Sequence, residues 1–468
     1  MKYLLSALLV IFAFSQTKAQ YLDEISKKLH EPKALRKDVD FVQRKLEKEH
    51  INLYKFISKK ALDHKFDSLR ASITKPMISL KFNARLMTVL SAIGDGHLIS
   101  TYNGKRFTPL DMEYLQKPKK QNGLYNLDYV IVNKHLYVKQ NNGPDEHIKR
   151  GDEIISIDNK AAAQIIDTMM CMIASDGYNT TFKKSVINAD NFINYYNFYW
   201  DRKDTNSIEL KSNNTVKKID LLPPTQSNVG LNLNNAKPIS YKFLKPDSSI
   251  AYLKVRTFML DSTFKNFEDI FNTIKQAKSK VLVLDLRGNG GGLISHSSNL
   301  FSYLTTKPAN FFNRPDELIK GYLIPGLNKL RDQQIKWLKQ SNYHAQVLLQ
   351  HNGFWGDLYV LTDGGTFSAA SLLTANLKKY RQATIVGEET GGSRNIWTAG
   401  IMKSEVLPES KMTLTYGILP FTFGDVSDNT GRGTMPDVLI NYTIDDYLAK
   451  RDLEMEWVMR DVEKKDLK

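Results

Sequence analysis

The stretch "DGGTFSAASLLTANLKKY", from Asp363, sets two small hydroxyls, Ser368 and Ser371, where a Gly-Gly turn enters an apolar helical pattern. A helix start has free N–H groups and the positive end of the helix dipole. That place suits an N-cap serine. It equally suits a nucleophile at Ser368, whose oxyanion the Ala369 N–H would meet. A second stretch, "LDLRGNGGG" from Leu284 to Gly292, puts three glycines after an apolar strand. Glycines let backbone approach where side chains would block it, with N–H groups free to face an anion. No Lys-Ser/Thr pair follows, so a nucleotide phosphate loop fails. An oxyanion hole at Gly290, Gly291 and Gly292 stands beside the plain reading of a tight turn. A nucleophilic serine needs a base. The candidate is His97 in "GDGHLIS", one of nine histidines, which its flanking glycines place on a turn.

The elements that must position these residues follow from periodicity. From 248 onward, strand and helix alternate: "SIAYLKV", "FKNFEDIFNTIKQA", "KVLVLDLRG", "ISHSSNLFSYL", "DLYVLTDG", "SAASLLTANLKKY", "ATIVGEET". Buried apolar strands between helices mean an α/β layer with a largely parallel sheet. Function in such layers collects at the carboxyl ends of strands, where the glycine stretch and the serine stretch both fall. Residues 20–112 read as helical, with Leu35, Val39, Val42 and Leu46 at helical spacing. Residues 113–222 read as short strands, with an Asn-Lys turn in "YVIVNKHLYVKQ" and a Gly-Asp turn in "IKRGDEIISIDNKAA". Residues 223–247, rich in Pro, Asn and Ser, read as a linker or edge segment. Residues 248–445 form the α/β core, and 446–468 a terminal helix.

The "GDEIISIDN" run resembles a PDZ domain, which implies a peptide site around Gly151, Asp152 and Ile154. An unrelated small β domain is the alternative. Taken together, "DLRGNGGG" at 285–292, "TFSAAS" at 366–371, "ATIVGEETGG" at 383–392, "GRGTMPDVLI" at 431–440 and "DGH" at 95–97 resemble the tail-specific, or C-terminal-processing, serine peptidases. The tricorn-core and retinoid-binding-protein-like branch is the one resembled. The resemblance implies a crotonase-like α/β core that hydrolyses peptide bonds with no metal and no cofactor. It implies Ser368 as nucleophile, His97 as base, and Ala369 with Gly290–Gly292 as oxyanion donors. Ser371 stays a helix residue. The C-terminal-processing branch has a lysine base where Ser393 stands here, with Lys403 a remote substitute. For the acid behind His97, Asp428 is the first choice and Asp425 the second. A serine precedes the histidine in tricorn, and Gly96 stands at that position here.

The N-terminus "MKYLLSALLVIFAFSQTKAQ" reads as a secretory signal peptide over residues 1–19, with a retained anchor as the alternative. The expected protein is exported, to the periplasm or beyond, without stable membrane insertion. The one cysteine, Cys171, excludes an internal disulfide. The net charge is +15, yet acidic residues accompany the lysines almost everywhere, and no nucleic-acid motif is present. The expected function is a serine endopeptidase acting on protein or peptide. The alternatives are a catalytically inactive peptide- or hydrophobic-ligand-binding protein on the same fold, and an anion- or glycan-binding protein. Oligomeric state is not legible.

Overall fold

Leu35, Val39, Val42 and Leu46 line one face of helix α1 (Pro32–Glu49), and all four are buried. Helices α2 (Lys59–Ser72) and α3 (Ser79–Leu90) pack with it. In this computed structural model, residues 27–51, 53–102, 121–212, 215–224, 237–259, 264–313, 346–425 and 430–466 are described. The expected signal peptide lies outside them, as does Asp428. After α3 the chain turns through Gly94–His97 into strand β1 (Ile99–Tyr102), where the sequence reading expects only helix.

A six-stranded antiparallel sheet follows, with five strands in the order β2 (Leu127–Val132), β3 (His135–Asn141), β4 (Glu153–Ile157), β5 (Asn206–Ser212), β6 (Thr215–Leu221), and the short Lys160–Ala161 strand pairing back on β4. The expected hairpin turn is present: Asn133 and Lys134 have φ of 50° and 67°, the twist that joins neighbouring strands tightly. Helix α4 (Ala162–Cys171) packs on this sheet. Helices α5 (Thr181–Asn188) and α6 (Phe192–Tyr199) are not anticipated by the reading as short strands. Phe192 and Tyr196, one helical turn apart, are buried, but the aromatic richness of "FINYYNFY" mimics strand composition. Asn188 accepts the Ile131 N–H and donates to the Ile131 carbonyl (2.8 and 2.9 Å), so α5 answers the outer edge of β2.

The core sheet has the order β7 (Ile239–Phe243), β8 (Ile250–Val255), β9 (Val281–Asp285), β10 (Asp357–Thr362), β11 (Thr384–Gly387) and a final short strand Val438–Leu439. All neighbours are parallel except β7. The segment read as a linker or edge segment thus supplies the antiparallel edge, over Ile239–Phe243. On β9, Leu282 and Leu284 face α7 (Phe264–Gln276), α8 (Ile294–Leu304) and α9 (Ala369–Asn376). Val281 and Val283 face α10 (Leu453–Asp466) on the other side. Burial on both faces is why the strand reads as an unbroken apolar run. A long hairpin, β12 (Ile396–Val406) with β13 (Met412–Thr422), pairs with β1 and so brings the His97 turn to the core.

Candidate active site

Two adjacent parallel strands, β9 and β10, end side by side, and their carboxyl ends carry the glycine stretch and the serine stretch. The two loops are laced together. Phe367 N–H donates to the Asn289 carbonyl (2.9 Å), and Thr366 Oγ1 to the Leu286 carbonyl (2.9 Å). Gly288 N–H donates to Asp363 Oδ1 (2.8 Å). Ser368 stands at the entry to α9 with φ 53° and ψ −122°, a backbone state that non-glycine residues seldom hold outside functional sites. Its carbonyl accepts from Leu372 N–H, so the backbone begins the helix. Its side chain makes no cap.

The hydroxyl goes elsewhere. Ser368 Oγ lies 3.1 Å from His97 Nε2, within hydrogen-bond reach across 271 residues of chain. Both residues are half-buried, so solvent and substrate can reach them. The imidazole stacks on Phe367 at 4.9 Å, and Phe367 stacks on Phe182 of α5 at 4.3 Å. Ser371 is an ordinary helix residue, fully buried, donating to the Ser368 carbonyl and accepting from Trp397 Nε1.

The glycine stretch divides its work. A Cβ on Gly291 would lie 2.7 Å from Ser368 Cβ and 2.9 Å from the Ala369 nitrogen, at a φ of +92°. Only glycine permits that approach. Its own N–H, however, donates to Asn289 Oδ1 (2.9 Å), so it is not offered to an oxyanion as expected. Among the described residues no protein acceptor meets the N–H of Gly290, Gly292 or Ala369.

Two buried carboxylates grip the His97 turn. Asp95 Oδ1 accepts the His97 N–H (2.9 Å), while its Oδ2 accepts from His50 Nε2 (2.8 Å) and Thr398 Oγ1 (2.6 Å). Burial alone would raise Asp95, but the His50 hydrogen bond, the charges of His50 and His97, and Thr398 together hold it down to about 2. Asp176 Oδ1 accepts the Gly96 N–H (2.8 Å) and Oδ2 the Ser393 N–H (2.9 Å). A ring nitrogen of His97 and oxygens of Asp95 and Asp176 lie within 4.8 Å of one another. All four carboxylate oxygens thus already accept from N–H or O–H groups. Neither aspartate was singled out by the sequence. Asp95 sits inside the quoted "GDGH", and its neighbourhood was the available signal; Asp176, in "SDGY", offered none.

The remaining expected residues are placed as follows. Ser393 turns its N–H to Asp176 and its hydroxyl to Asn395. Lys403 pairs with Glu49 and Glu405 (2.6 and 3.0 Å), away from the serine. The Asp425 carbonyl accepts from Asn395 Nδ2. Gly151 N–H and the Asp152 carbonyl both bond Val138 on β3, and Ile154 is buried on the central strand β4. These three serve the sheet itself rather than a free edge, which departs from the expected peptide contact.

A serine on a strained strand-to-helix turn, facing a histidine and flanked by a glycine loop, on a mixed α/β scaffold, defines a serine–histidine site of the acyl-transfer type. Residues 249–440 match the Peptidase family S41 profile, so this part of the chain is similar to the S41 peptidases. A "Probable CtpA-like serine protease" of Staphylococcus aureus (strain N315) is 26% identical over 208 residues, covering 44% of this chain and 36% of the relative. The "Carboxy-terminal processing protease CtpA" of Bacillus subtilis (strain 168) is 24% identical over 153 residues, covering 33% and 28%. The aligned part is thus little more than a third of these relatives at most. The crystal structure of mature CPAF superposes with a TM-score of 0.58 at 13% identity, covering 90% of this chain and 94% of that one. That likeness concerns the fold.

Proposed function

We propose that the protein is a serine endopeptidase that cleaves peptide bonds through an acyl-enzyme on Ser368, with His97 as general base. The carrying observation is the 3.1 Å separation of His97 Nε2 and Ser368 Oγ beside the Gly291 approach. His97 takes the hydroxyl proton as Oγ attacks the carbonyl carbon, and returns it to the leaving amine; water then releases the acyl group by the same route. The Ala369 N–H, at the helix start, and Gly290 and Gly292 N–H are the oxyanion donors in this reading. One such donor is worth about 3–4 kcal/mol in the barrier. Neutral imidazole is required, so activity declines below about pH 6.

We further read the layer from 239 to 440 as a crotonase-like core and the sheet from 127 to 221 as a PDZ-like module. Export to the periplasm or beyond is part of the same proposal, on the sequence of residues 1–19. No described helix is long and apolar enough to cross a membrane. A fluorophosphonate probe tests the chemistry: labelling at Ser368, abolished in Ser368→Ala and cut at least about 100-fold in His97→Ala, is the expected result. An unlabelled but folded protein would favour the inactive binding-protein alternative.

A further inference from the structure

Asp176 lies 80 residues from the turn it grips and 217 from the loop it grips. It belongs to a short segment leaving α4 that is sewn to the core at several points. Gly177 N–H donates to the Gly94 carbonyl (2.8 Å), Tyr178 N–H to Gly431 (2.9 Å), and Asn179 Nδ2 to Thr390 (2.9 Å). One carboxylate therefore holds the residue before the base, Gly96, and the loop after β11, Ser393, in fixed register. Gly96 has no room for a side chain. A Cβ there would lie 2.8 Å from Phe367 Cζ and 2.9 Å from Asp176 Oδ1. The position that carries serine in tricorn is filled here from outside, by the Phe367 ring and the Asp176 carboxylate.

We propose that Asp176 is a positioning residue for His97, fixing the base turn through the Gly96 N–H and setting the local charge the imidazole meets. This rests on the peptidase reading of Ser368 and His97 and names a further residue that reading needs. The titratable groups of this cluster are His50, Asp95, His97 and Asp176. Burial, then the negative charge of Asp95, push the Asp176 carboxyl up to about 7. Asp176 therefore changes charge in the range where a serine–histidine pair gains activity. Asparagine cannot replace it. Two backbone N–H donors need two acceptor oxygens, and an amide supplies one oxygen and a second donor.

The test is the pH dependence of fluorophosphonate labelling in the full chain. Asp176→Asn lowers the plateau rate roughly 10- to 100-fold through misplacement of the base. It also moves the acid limb to lower pH, because the carboxylate that forms beside the imidazole as Asp176 ionises near 7, and that favours the protonated ring, is gone. An unchanged rate, or a lower plateau with the limb unmoved, overturns the proposal, the second outcome being that of a purely structural residue. If the asparagine variant does not fold, Asp176→Glu keeps the charge but displaces the turn, so the plateau falls while the limb stays; a wild-type rate counts against the idea. In the unsubstituted protein, hydrogen exchange of the Gly96 and Ser393 amides is slow, and fast exchange at both would sink the grip itself. Absence of labelling in the unsubstituted protein refutes the peptidase reading instead, and leaves the exchange measurement to judge Asp176.

Discussion

Ser368 begins a helix with its carbonyl and spends its hydroxyl on His97, so the helix start and the proposed nucleophile are different atoms of one residue. Sequence alone could not divide them, because a helix start suits both. His97 was legible as a rare residue on a glycine-flanked turn. Asp176 was not, because a buried carboxylate is defined by its partners, and these come from 80 and 217 residues away. Asp428, the acid chosen from sequence, lies outside the described residues, whereas Asp95 and Asp176 are at hand around His97. Gly96 carries the prediction at this scale. Gly96→Ala drives a methyl into Phe367 and Asp176, costing about 1–3 kcal/mol of stability. It should also slow Ser368 labelling more than thermal unfolding would suggest, because the strain falls on the turn that holds His97. Differential scanning fluorimetry beside labelling kinetics checks both parts.

At the scale of elements, the alternation of apolar strand and amphipathic helix from 248 onward announced the parallel sheet, and its strand ends announced the site. What stayed hidden were elements whose pattern is decided by long-range packing. The β12–β13 hairpin and β1 form one sheet only because residues more than 300 apart pair. The glycine loop shows how elements are pinned. Arg287 bonds Asp285 (2.8 Å) at the end of β9, and Asp452 and Glu454 (2.8 and 3.0 Å) at the start of α10. It lines a cleft of about 540 Å³ with Lys184, Asp363 and Glu388. Arg287→Ala leaves buried Asp285 and Glu454 short of their cation. The expected loss is about 3–5 kcal/mol in urea unfolding, and a loss below about 1 kcal/mol would show that Lys254 alone suffices for Asp285.

The whole molecule balances carboxylates shifted in opposite senses. Asp285 is held down to about 2: burial opposes this, but Arg287 and Lys254 outweigh it. Asp95 is likewise at about 2. Depressed groups contribute stability above the ordinary carboxylate range and lose it as pH falls from about 4 to 2. Asp176, raised to about 7, does the reverse. Its contribution is fully present below about pH 4 and is lost as pH rises through 7. The urea midpoint should therefore be greatest near about pH 4 and decline on both sides. In a folded Asp176→Asn variant the decline from pH 5 to 8 should flatten while the acid side is unchanged; a wild-type slope between 5 and 8 would assign that decline to other groups.

The Asn188 amide on the rim of β2 has a meaning for the chain in a crowd. An outermost strand with open N–H and carbonyl groups invites a neighbouring molecule to extend the sheet, and such growth does not close. Here the side chain of α5 occupies both groups of Ile131 in an amide's own geometry, as a counterfeit rung of ladder. Any strand that would add there, whether foreign peptide or sister chain, must first exchange two existing hydrogen bonds for two new ones. Recruitment at this edge is thus a displacement reaction, favouring guests whose side chains contribute more than their backbone does.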